Sequence, residues 1–254
     1  MSDFVITRRE GAILHLRLDR VNKKNALTQD MYQALLDGLN DAEADDSIHA
    51  VVFSAEGDTF CAGNDLGDFL RHGELTPQAP VFQLLKRLPQ LTVPLVASVQ
   101  GMAIGIGTTL LLHCDLIYAA EDAVFALPFV DLALVPEAGS SLLLPQTVGY
   151  PKAAELLLIG EPFNAEQALQ MGLVNGVVTN SRLQEVTAEV AAKLAAKPPQ
   201  ALRRSKALLK QPVESTSARI DRELEVFMQA LASDEAQRVI AEKAAGKATT
   251  NKAR

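Results

Sequence analysis

One glutamate and two glycine-bearing segments are the parts of this sequence whose residue types and spacing could carry out chemistry. Glu137 lies between an apolar, strand-like run and the start of an apolar helix. Segments 60–65 and 101–107 both contain glycine, and each could present a bare backbone N–H to an oxygen. A carboxylate beside two backbone donors is the set of groups needed to move a proton next to a carbonyl.

Glu137 has two interpretations. It could be an exposed acid in the first turn of a helix, where the helix dipole favours negative charge. We expect a buried position instead, because Val135 and residues 142–144 around it are strongly apolar. An apolar pocket raises the pKa of a carboxyl group, which is what a base working near neutrality requires.

Each glycine segment also has two interpretations. In 101–107, the glycines either allow close packing at a strand-to-helix turn or open a helix N-terminus toward a ligand oxygen. In 60–65, Gly63 can bend the backbone so that the Asn64 N–H points outward. The simpler interpretation of that segment alone is an ordinary loop with Asp65 as a helix cap.

Other catalytic classes lack their residues in this sequence. The histidines do not pair at metal-ligand spacing and no Cys/His cluster exists, so we predict no metal site. No histidine is placed in sequence to activate Cys61, and a small buried thiol is the more common role of such a residue. Ser140 and Ser141 lack the setting of a serine nucleophile and could instead cap a helix. His113, at the end of an apolar helix, is predicted to be structural.

Composition indicates an ordinary globular protein and does not exclude an anionic small-molecule ligand. The chain of 254 residues is long enough for one or two domains with a full core, and 48% of it is hydrophobic. The net charge of −7, with scattered basic residues, argues against a nucleic-acid partner. We expect no membrane partner, because the most apolar run, 104–112, is too short to span a bilayer and the start does not resemble a signal peptide. Two distant cysteines suit reduced thiols, so we expect a cytoplasmic location.

The elements that must position the site alternate between strands and helices, which predicts an α/β fold. Thr28 is expected to cap a helix that runs to Asp46, and Asn164 to cap a helix that ends near Gly172. Continuous apolar runs suit a sheet that is covered on both faces. The predicted strands are 4–9, 12–18, 50–53, 94–99, 116–119, 124–127 and 174–178.

From Ser181 onward the sequence predicts helices only. We divide the chain into a core, residues 1–196, and a helical C-terminal region, residues 197–254. This region carries an apolar stripe at helical spacing, with little strand core left to cover it. The stripe consists of Ile220, Leu224, Phe227, Met228 and Leu231. We expect it to pack across a subunit interface or on a neighbouring ligand site.

Several segments, taken in order, resemble the enoyl-CoA hydratase/isomerase (crotonase) superfamily from residue 4 to residue 232. Segment 20–27 resembles the early loop that contacts coenzyme A in this family. Segment 60–66 resembles the first segment of its oxyanion hole. Segments 99–107 and 114–119 together resemble the second.

The resemblance implies a fold, an assembly and a set of ligand contacts. The fold is a crotonase-like spiral of ββα units with a helical C-terminal region that forms trimers, giving a homotrimer or a hexamer of two trimers. The substrate is an acyl-CoA thioester of fatty acid metabolism; coenzyme A is part of that substrate, so no separate cofactor is expected. The backbone N–H groups of Asn64 and Ile106 would hold the thioester oxygen, where charge develops. The implied contacts to CoA or substrate are Lys23, Lys24, Ala26, Ala62, Asp65, Leu66, Gly105 and Phe129.

Departures from the family pattern select among its reactions. Hydratases of the family carry two glutamates, at positions that Thr109 and Phe129 occupy here. Glu137 matches the position used by Δ3,Δ2-enoyl-CoA isomerases that rely on one glutamate, whereas dienoyl-CoA isomerases add a second acid at the Phe129 position. We therefore predict a Δ3,Δ2-enoyl-CoA isomerase with Glu137 as its acid and base.

Two alternatives remain open. Another reaction of this family, hydration or thioester hydrolysis, would need a further acid, for which Asp65 and Asp131 are weak candidates. A non-catalytic acyl-CoA-binding protein would have no reason to keep an acid in an apolar setting at Glu137.

Overall fold

A computed structural model of the chain describes residues 2–72 and 76–251, with strands in two sheets and helices packed around them. The strands are β1 (Val5–Glu10), β2 (Ile13–Leu18), β3 (Ala50–Ala55), β4 (Leu95–Val99), β5 (Met102–Ile104), β6 (Leu116–Ala120), β7 (Val124–Ala126), β8 (Phe163–Asn164) and β9 (Gly176–Val178). The helices are α1 (Gln29–Ala44), α2 (Leu66–His72), α3 (Pro80–Arg87), α4 (Ile106–Thr109), α5 (Ser140–Val148), α6 (Tyr150–Ala154), α7 (Ala165–Gln170), α8 (Asn180–Ala195), α9 (Pro199–Leu209), α10 (Thr216–Leu231) and α11 (Asp234–Asn251). A 3₁₀ turn over Leu110–His113 continues α4.

The larger sheet has six strands in the order β1-β2-β3-β4-β6-β9. β1 and β2 form an antiparallel hairpin, and the other neighbouring pairs are parallel. All residues of β3 and β4 are buried, and α8 packs against both strands. A parallel sheet that is covered on both faces needs continuous apolar strands, which is the pattern in the sequence. The predicted α/β class is confirmed.

The smaller sheet, β5-β7-β8, contains two strands that the sequence analysis did not predict, β5 and the two-residue β8. β5 lies within the segment interpreted as a turn, between Gly101 and Gly105, whose φ angles are +55° and +56°. A Cβ at Gly101 would lie 1.8 Å from the Asp58 carbonyl oxygen, so only glycine fits there. Parallel pairing with β7 defines the strand, and a run this short has no periodicity that a sequence pattern could reveal.

Two helices begin at the caps that the sequence predicts. The Thr28 hydroxyl accepts a hydrogen bond from the backbone N–H three residues on, and α1 ends at Ala44, slightly before the predicted Asp46. α7 begins at a capping box, in which the side chains of Asn164 and Gln167 each accept from the other's backbone N–H. Both predicted N-caps are confirmed.

α9 ties the helical C-terminal region to the core through two buried cations. The Arg203 guanidinium donates to the Ala42 carbonyl oxygen at the end of α1 (2.9 Å). The Lys206 ammonium donates to the Val93 carbonyl oxygen (2.7 Å) and pairs with the Asp115 carboxylate (2.7 Å). Because a buried cation is costly without such partners, these contacts determine where α9 lies.

α10 and α11 complete the C-terminal region as far as Asn251, and residues 252–254 lie outside the described residues. α10 has no buried residue, and the predicted apolar stripe on it is between 43% and 63% exposed. The described part of the chain therefore leaves this stripe uncovered. Throughout the described ranges, no helix combines the length and the apolar character needed to cross a bilayer.

Candidate active site

The two glycine-bearing segments lie side by side. The Cys61 N–H donates to the Met102 carbonyl oxygen (2.9 Å), and the Ile104 N–H donates to the Cys61 carbonyl oxygen (2.8 Å). Gly63 and Gly105 follow these paired residues with φ angles of +97° and +56°, which residues with a side chain rarely adopt. Each glycine therefore turns the chain just before one of the two predicted oxyanion donors.

The backbone N–H groups of Asn64 and Ile106 have no acceptor within the described part of the chain. Ile106 opens α4, so its N–H is one of the unpaired donors of a helix N-terminus. Ile106 as a whole is 1% exposed, so this N–H lies at a buried position. The two N–H groups lie just beyond the paired residues of two adjacent segments.

Glu137 lies in a turn just before α5. Its carbonyl oxygen accepts from the N–H (2.9 Å) and the hydroxyl (2.7 Å) of Ser140. The next two residues, Ala138 and Gly139, have φ angles of +53° and +69°. The Glu137 carboxylate accepts a hydrogen bond from the Thr109 hydroxyl on α4. The helix that begins with the Ile106 donor is thus bonded directly to the Glu137 side chain.

The Glu137 carboxyl group is partly buried, and this burial raises its pKa to about 7 against the opposing effect of the Thr109 hydrogen bond. Such a group exists in both protonation states near neutrality, as an acid and base requires. The predicted rise in pKa is confirmed, but part of the reason given for it is wrong, since Val135 is 79% and Leu142 62% exposed. The observed contact to the carboxylate comes instead from α4, through the fully buried Thr109.

Tyr32 is a site residue that the sequence analysis missed. It is fully buried on α1, and its hydroxyl donates to Oδ1 of Asn64. Burial, with contributions from Cys61 and Glu137, raises the pKa of its phenol well above the usual value. A buried tyrosine hydroxyl needs a hydrogen-bond partner, so a tyrosine within the apolar face of α1 is the signal that could have revealed it.

The early loop, 20–27, pairs with the first oxyanion segment. The Ala62 N–H donates to the Lys24 carbonyl oxygen (2.9 Å), and the Asp65 N–H donates to the Leu27 carbonyl oxygen (2.9 Å). The side chains of Lys23 and Lys24 are exposed and make no hydrogen bond or ion pair with other described residues. This pairing brings together most of the predicted contacts to CoA or substrate: Lys23, Lys24, Ala26, Ala62, Asp65 and Leu66.

The two remaining predicted contacts lie apart from that loop. Gly105 immediately precedes the Ile106 donor, and its own N–H donates to the Ala126 carbonyl oxygen (2.9 Å). Phe129 is 6% exposed and belongs to the hydrophobic core. The position at which hydratases of the family carry an acid is therefore filled here by a buried aromatic ring.

The other acids and nucleophiles near the site are poorly suited to proton transfer. Asp65 pairs with the Arg20 guanidinium (2.8 Å), whose hydrogen bond lowers the pKa of that carboxyl group. Asp131 is exposed. Burial raises the pKa of the Cys61 thiol to about 12, so it stays protonated and unreactive. Among the described residues, no group of three His, Cys, Asp or Glu side chains is placed to hold a metal ion.

An apolar cavity of about 540 Å³ opens beside the Glu137 turn. Ala138 and Gly139 form part of its wall, so the cavity borders on the residues that follow Glu137. Its size and lining suit the apolar part of a small ligand. The rest of the wall is formed by Pro77, Phe82, Leu85, Lys86, Pro89, His113, Leu142 and Leu143.

Comparison with known proteins gives consistent matches along most of the chain. The sequence profile of the family described as Enoyl-CoA hydratase/isomerase matches residues 8–246. The 1,2-epoxyphenylacetyl-CoA isomerase of Escherichia coli (strain K12) is 33% identical over 224 residues, which cover 85% of this chain and 83% of that protein. Enoyl-CoA delta isomerase 2 of Rattus norvegicus is 35% identical over 213 residues, which cover 82% of this chain and 54% of that protein. A solved structure from Magnetospirillum magneticum AMB-1, provisionally named an enoyl-CoA hydratase/carnithine racemase, matches with a TM-score of 0.91 and 41% identity over 95% of each chain.

Proposed function

Because the chain belongs to the enoyl-CoA hydratase/isomerase (crotonase) family of enzymes, we propose that it is a Δ3,Δ2-enoyl-CoA isomerase. The family and the fold that the sequence predicts are confirmed. The likeness to a protein named enoyl-CoA delta isomerase 2 supports the choice of reaction. The observation that carries the proposal is Glu137, a partly buried carboxyl group with its pKa raised to about 7 in the same site as two unpaired backbone N–H groups.

In the proposed reaction, ionised Glu137 takes a proton from C2 of a 3-enoyl-CoA. The electron pair of that C–H bond moves into a dienolate, whose oxygen accepts hydrogen bonds from the N–H groups of Asn64 and Ile106. Protonated Glu137 then returns the proton at C4, which leaves the double bond between C2 and C3. Since the net change is a proton shift, one carboxyl group suffices, and a pKa near 7 suits both accepting and donating the proton.

The residues that occupy the two hydratase glutamate positions, Thr109 and Phe129, favour isomerisation over hydration. Hydration needs a water molecule held between two carboxylates. Here the Thr109 hydroxyl donates to Glu137, and Phe129 is buried in the core, so neither can hold that water as a carboxylate does. Asp65 is engaged by Arg20, which removes it as a substitute acid.

We also propose how the substrate is held and where the protein works. The exposed Lys23 and Lys24 would bind CoA phosphates, and the apolar cavity beside Ala138 would take the acyl chain, with no cofactor beyond the CoA of the substrate. The uncovered stripe on α10 supports assembly into a homotrimer or hexamer. Two free cysteines suit the reducing cytoplasm.

Product identification tests this function directly. Purified wild-type protein is incubated with a 3-enoyl-CoA, and separately with a 2-enoyl-CoA, and the products are resolved by chromatography. We expect isomerisation of the first to outrun hydration of the second. Faster hydration, or release of free CoA, would show that the protein catalyses another reaction of the family instead of isomerisation. No turnover of either compound, with CoA binding intact, would indicate an acyl-CoA-binding protein.

A further inference from the structure

We propose that His113 is a positioning residue for Glu137 and acts through the backbone carbonyl of Ala138. His113 Nε2 lies 2.7 Å from that carbonyl oxygen. The inference rests on the proposed role of Glu137 as the acid and base. It gives a function to a histidine for which the sequence predicts a structural role.

One short segment makes two hydrogen bonds that link the Glu137 turn to an oxyanion donor. α4 begins with the Ile106 N–H, and Thr109 at its end donates to the Glu137 carboxylate. One helical turn further, at the end of the 3₁₀ turn, His113 reaches the Ala138 carbonyl. The side chain of Glu137 and the backbone just after it are therefore both bonded to the segment that presents a predicted oxyanion donor.

The backbone at Ala138 needs such a contact because its conformation is strained. Its φ angle of +53° lies in the left-handed region, which an L residue with a side chain adopts only at a cost. Strained residues of this kind persist where the surrounding structure holds them in place. Ser140 closes the turn on one side by bonding to the Glu137 carbonyl, and His113 holds the Ala138 carbonyl on the other.

The hydrogen bond also assigns the protonation state of His113. A carbonyl oxygen can only accept, so Nε2 must carry the proton. His113 is 4% exposed, and its burial, together with the positive charges of Lys210 and Lys206, lowers the pKa of the imidazole, although the Ala138 hydrogen bond opposes this. The Lys210 ammonium donates to the His113 carbonyl oxygen (3.2 Å), which ties the same residue to the C-terminal region. A neutral imidazole with its proton on Nε2 is thus a fixed donor near neutrality.

His113 also forms part of the cavity wall, so the test must separate filling of space from hydrogen bonding. His113→Leu and His113→Gln both remove the ring from that wall. Only glutamine keeps an N–H that can reach the Ala138 carbonyl. The comparison between the two variants therefore isolates the hydrogen bond.

Steady-state kinetics with a 3-enoyl-CoA provides the first measurement. We expect His113→Leu to lower kcat by about 10- to 100-fold, the range expected when a catalytic group is displaced by 1 Å or less, with little change in KM. His113→Gln should recover most of that loss. In a Glu137→Gln background, His113→Leu should cause no further loss, because the group that it positions is already gone. The proposal would be overturned if kcat fell equally in both His113 variants, or if His113→Leu kept the wild-type kcat. It would also be overturned if His113→Leu lowered kcat as much in the Glu137→Gln background as in the wild type.

Crystal structures of the two variants give a readout that does not depend on the reaction. In His113→Leu we expect the Ala138 φ angle to leave the left-handed region or the Glu137 side chain to move away from Thr109. In His113→Gln we expect the turn to keep its wild-type conformation. An unchanged turn in His113→Leu would overturn the positioning role. If the proposed isomerase function fails, the wild-type protein will not isomerise a 3-enoyl-CoA, and if only the role of Glu137 fails, Glu137→Gln will turn over normally; in both cases these structures still report on His113.

Discussion

The hydroxyl of Thr109 donates a hydrogen bond to Oε1 of Glu137. The residue at one hydratase glutamate position therefore supports the carboxylate that we propose as the acid and base. Burial raises the pKa of Glu137 to about 7, and the Thr109 hydrogen bond opposes that rise because it favours the ionised form. The balance of these two effects sets the pH at which Glu137 can accept a proton.

Removing the Thr109 hydroxyl should shift the pH dependence of catalysis. The wild-type kcat/KM should fall as the pH drops through about 7, because protonated Glu137 cannot take a proton from C2. Thr109→Val keeps the branched shape without the hydroxyl, so the pKa of Glu137 should rise and the profile should move to higher pH. Thr109→Ser keeps the hydroxyl and serves as the matched control. Superimposable profiles for wild type and Thr109→Val would contradict this role.

Protonation of Glu137 should also affect the stability of the protein, which should decrease as the pH rises and Glu137 ionises. The pKa of Glu137 is raised from 4.5 to about 7 in the folded protein, so protonated Glu137 contributes stability that is complete below about pH 4.5 and is lost as the pH rises through about 7. Glutamine is uncharged at every pH. The Tm of Glu137→Gln relative to wild type should therefore increase from about pH 5 to about pH 8 in thermal melts. A Tm difference that is independent of pH would argue that Glu137 is not held in a desolvated site.

Local sequence patterns were sufficient for the elements whose signals are local. The Thr28 and Asn164 caps and the buried strand β4 each follow from residues adjacent in the chain. The short strand β5 could not be predicted in this way, because it forms by pairing with β7 and Cys61, between two glycines of positive φ. Its three residues carry no periodicity of their own.

The candidate site shows the same division between local and long-range information. The types of Glu137 and Thr109 are visible in the sequence, but the hydrogen bond between them depends on how the turn before α5 meets α4. The bond from Tyr32 to Asn64 likewise joins residues far apart in the chain. Val135 illustrates the converse error, since an apolar neighbour in sequence is solvent-exposed in the fold and does not bury Glu137.

Charge reversal in the early loop should weaken binding of coenzyme A. In Lys23→Glu/Lys24→Glu we expect an affinity loss of about tenfold by calorimetry, consistent with roughly 0.5–1 kcal/mol for each exposed ion pair. The salt dependence of binding should also decrease, because screened charge pairs are lost. Lys193→Glu/Lys197→Glu makes the same charge change at exposed positions outside the predicted contacts and should bind CoA as the wild type does. Wild-type affinity for CoA in Lys23→Glu/Lys24→Glu would show that the CoA phosphates bind elsewhere.

The uncovered stripe on α10 should determine the oligomeric state. We expect wild-type protein to be a trimer or hexamer in light scattering at micromolar concentration, because an apolar surface of this kind is stabilised by burial between subunits. Phe227→Asp should dissociate the assembly, since it places a charge in the centre of the stripe. Gln229→Asp, on the opposite face of the same helix, should leave it intact. A monomeric wild type, or equal behaviour of the two variants, would contradict this.

Glu137→Gln is the substitution that should separate binding from catalysis. Glutamine keeps the size of the side chain and can still accept a hydrogen bond from Thr109, but it cannot take a proton from C2 or return one at C4. Turnover of a 3-enoyl-CoA should fall by at least ~10²-fold, the low end for general acid–base catalysis, while the Kd for CoA, measured by calorimetry, should barely change. Thr109→Val should cost far less at neutral pH, because it alters the pKa of the base without removing it. Near-normal isomerase activity in Glu137→Gln would mean that another group moves the proton, and a parallel loss of CoA affinity would mean that Glu137 holds the site together rather than carrying out the chemistry.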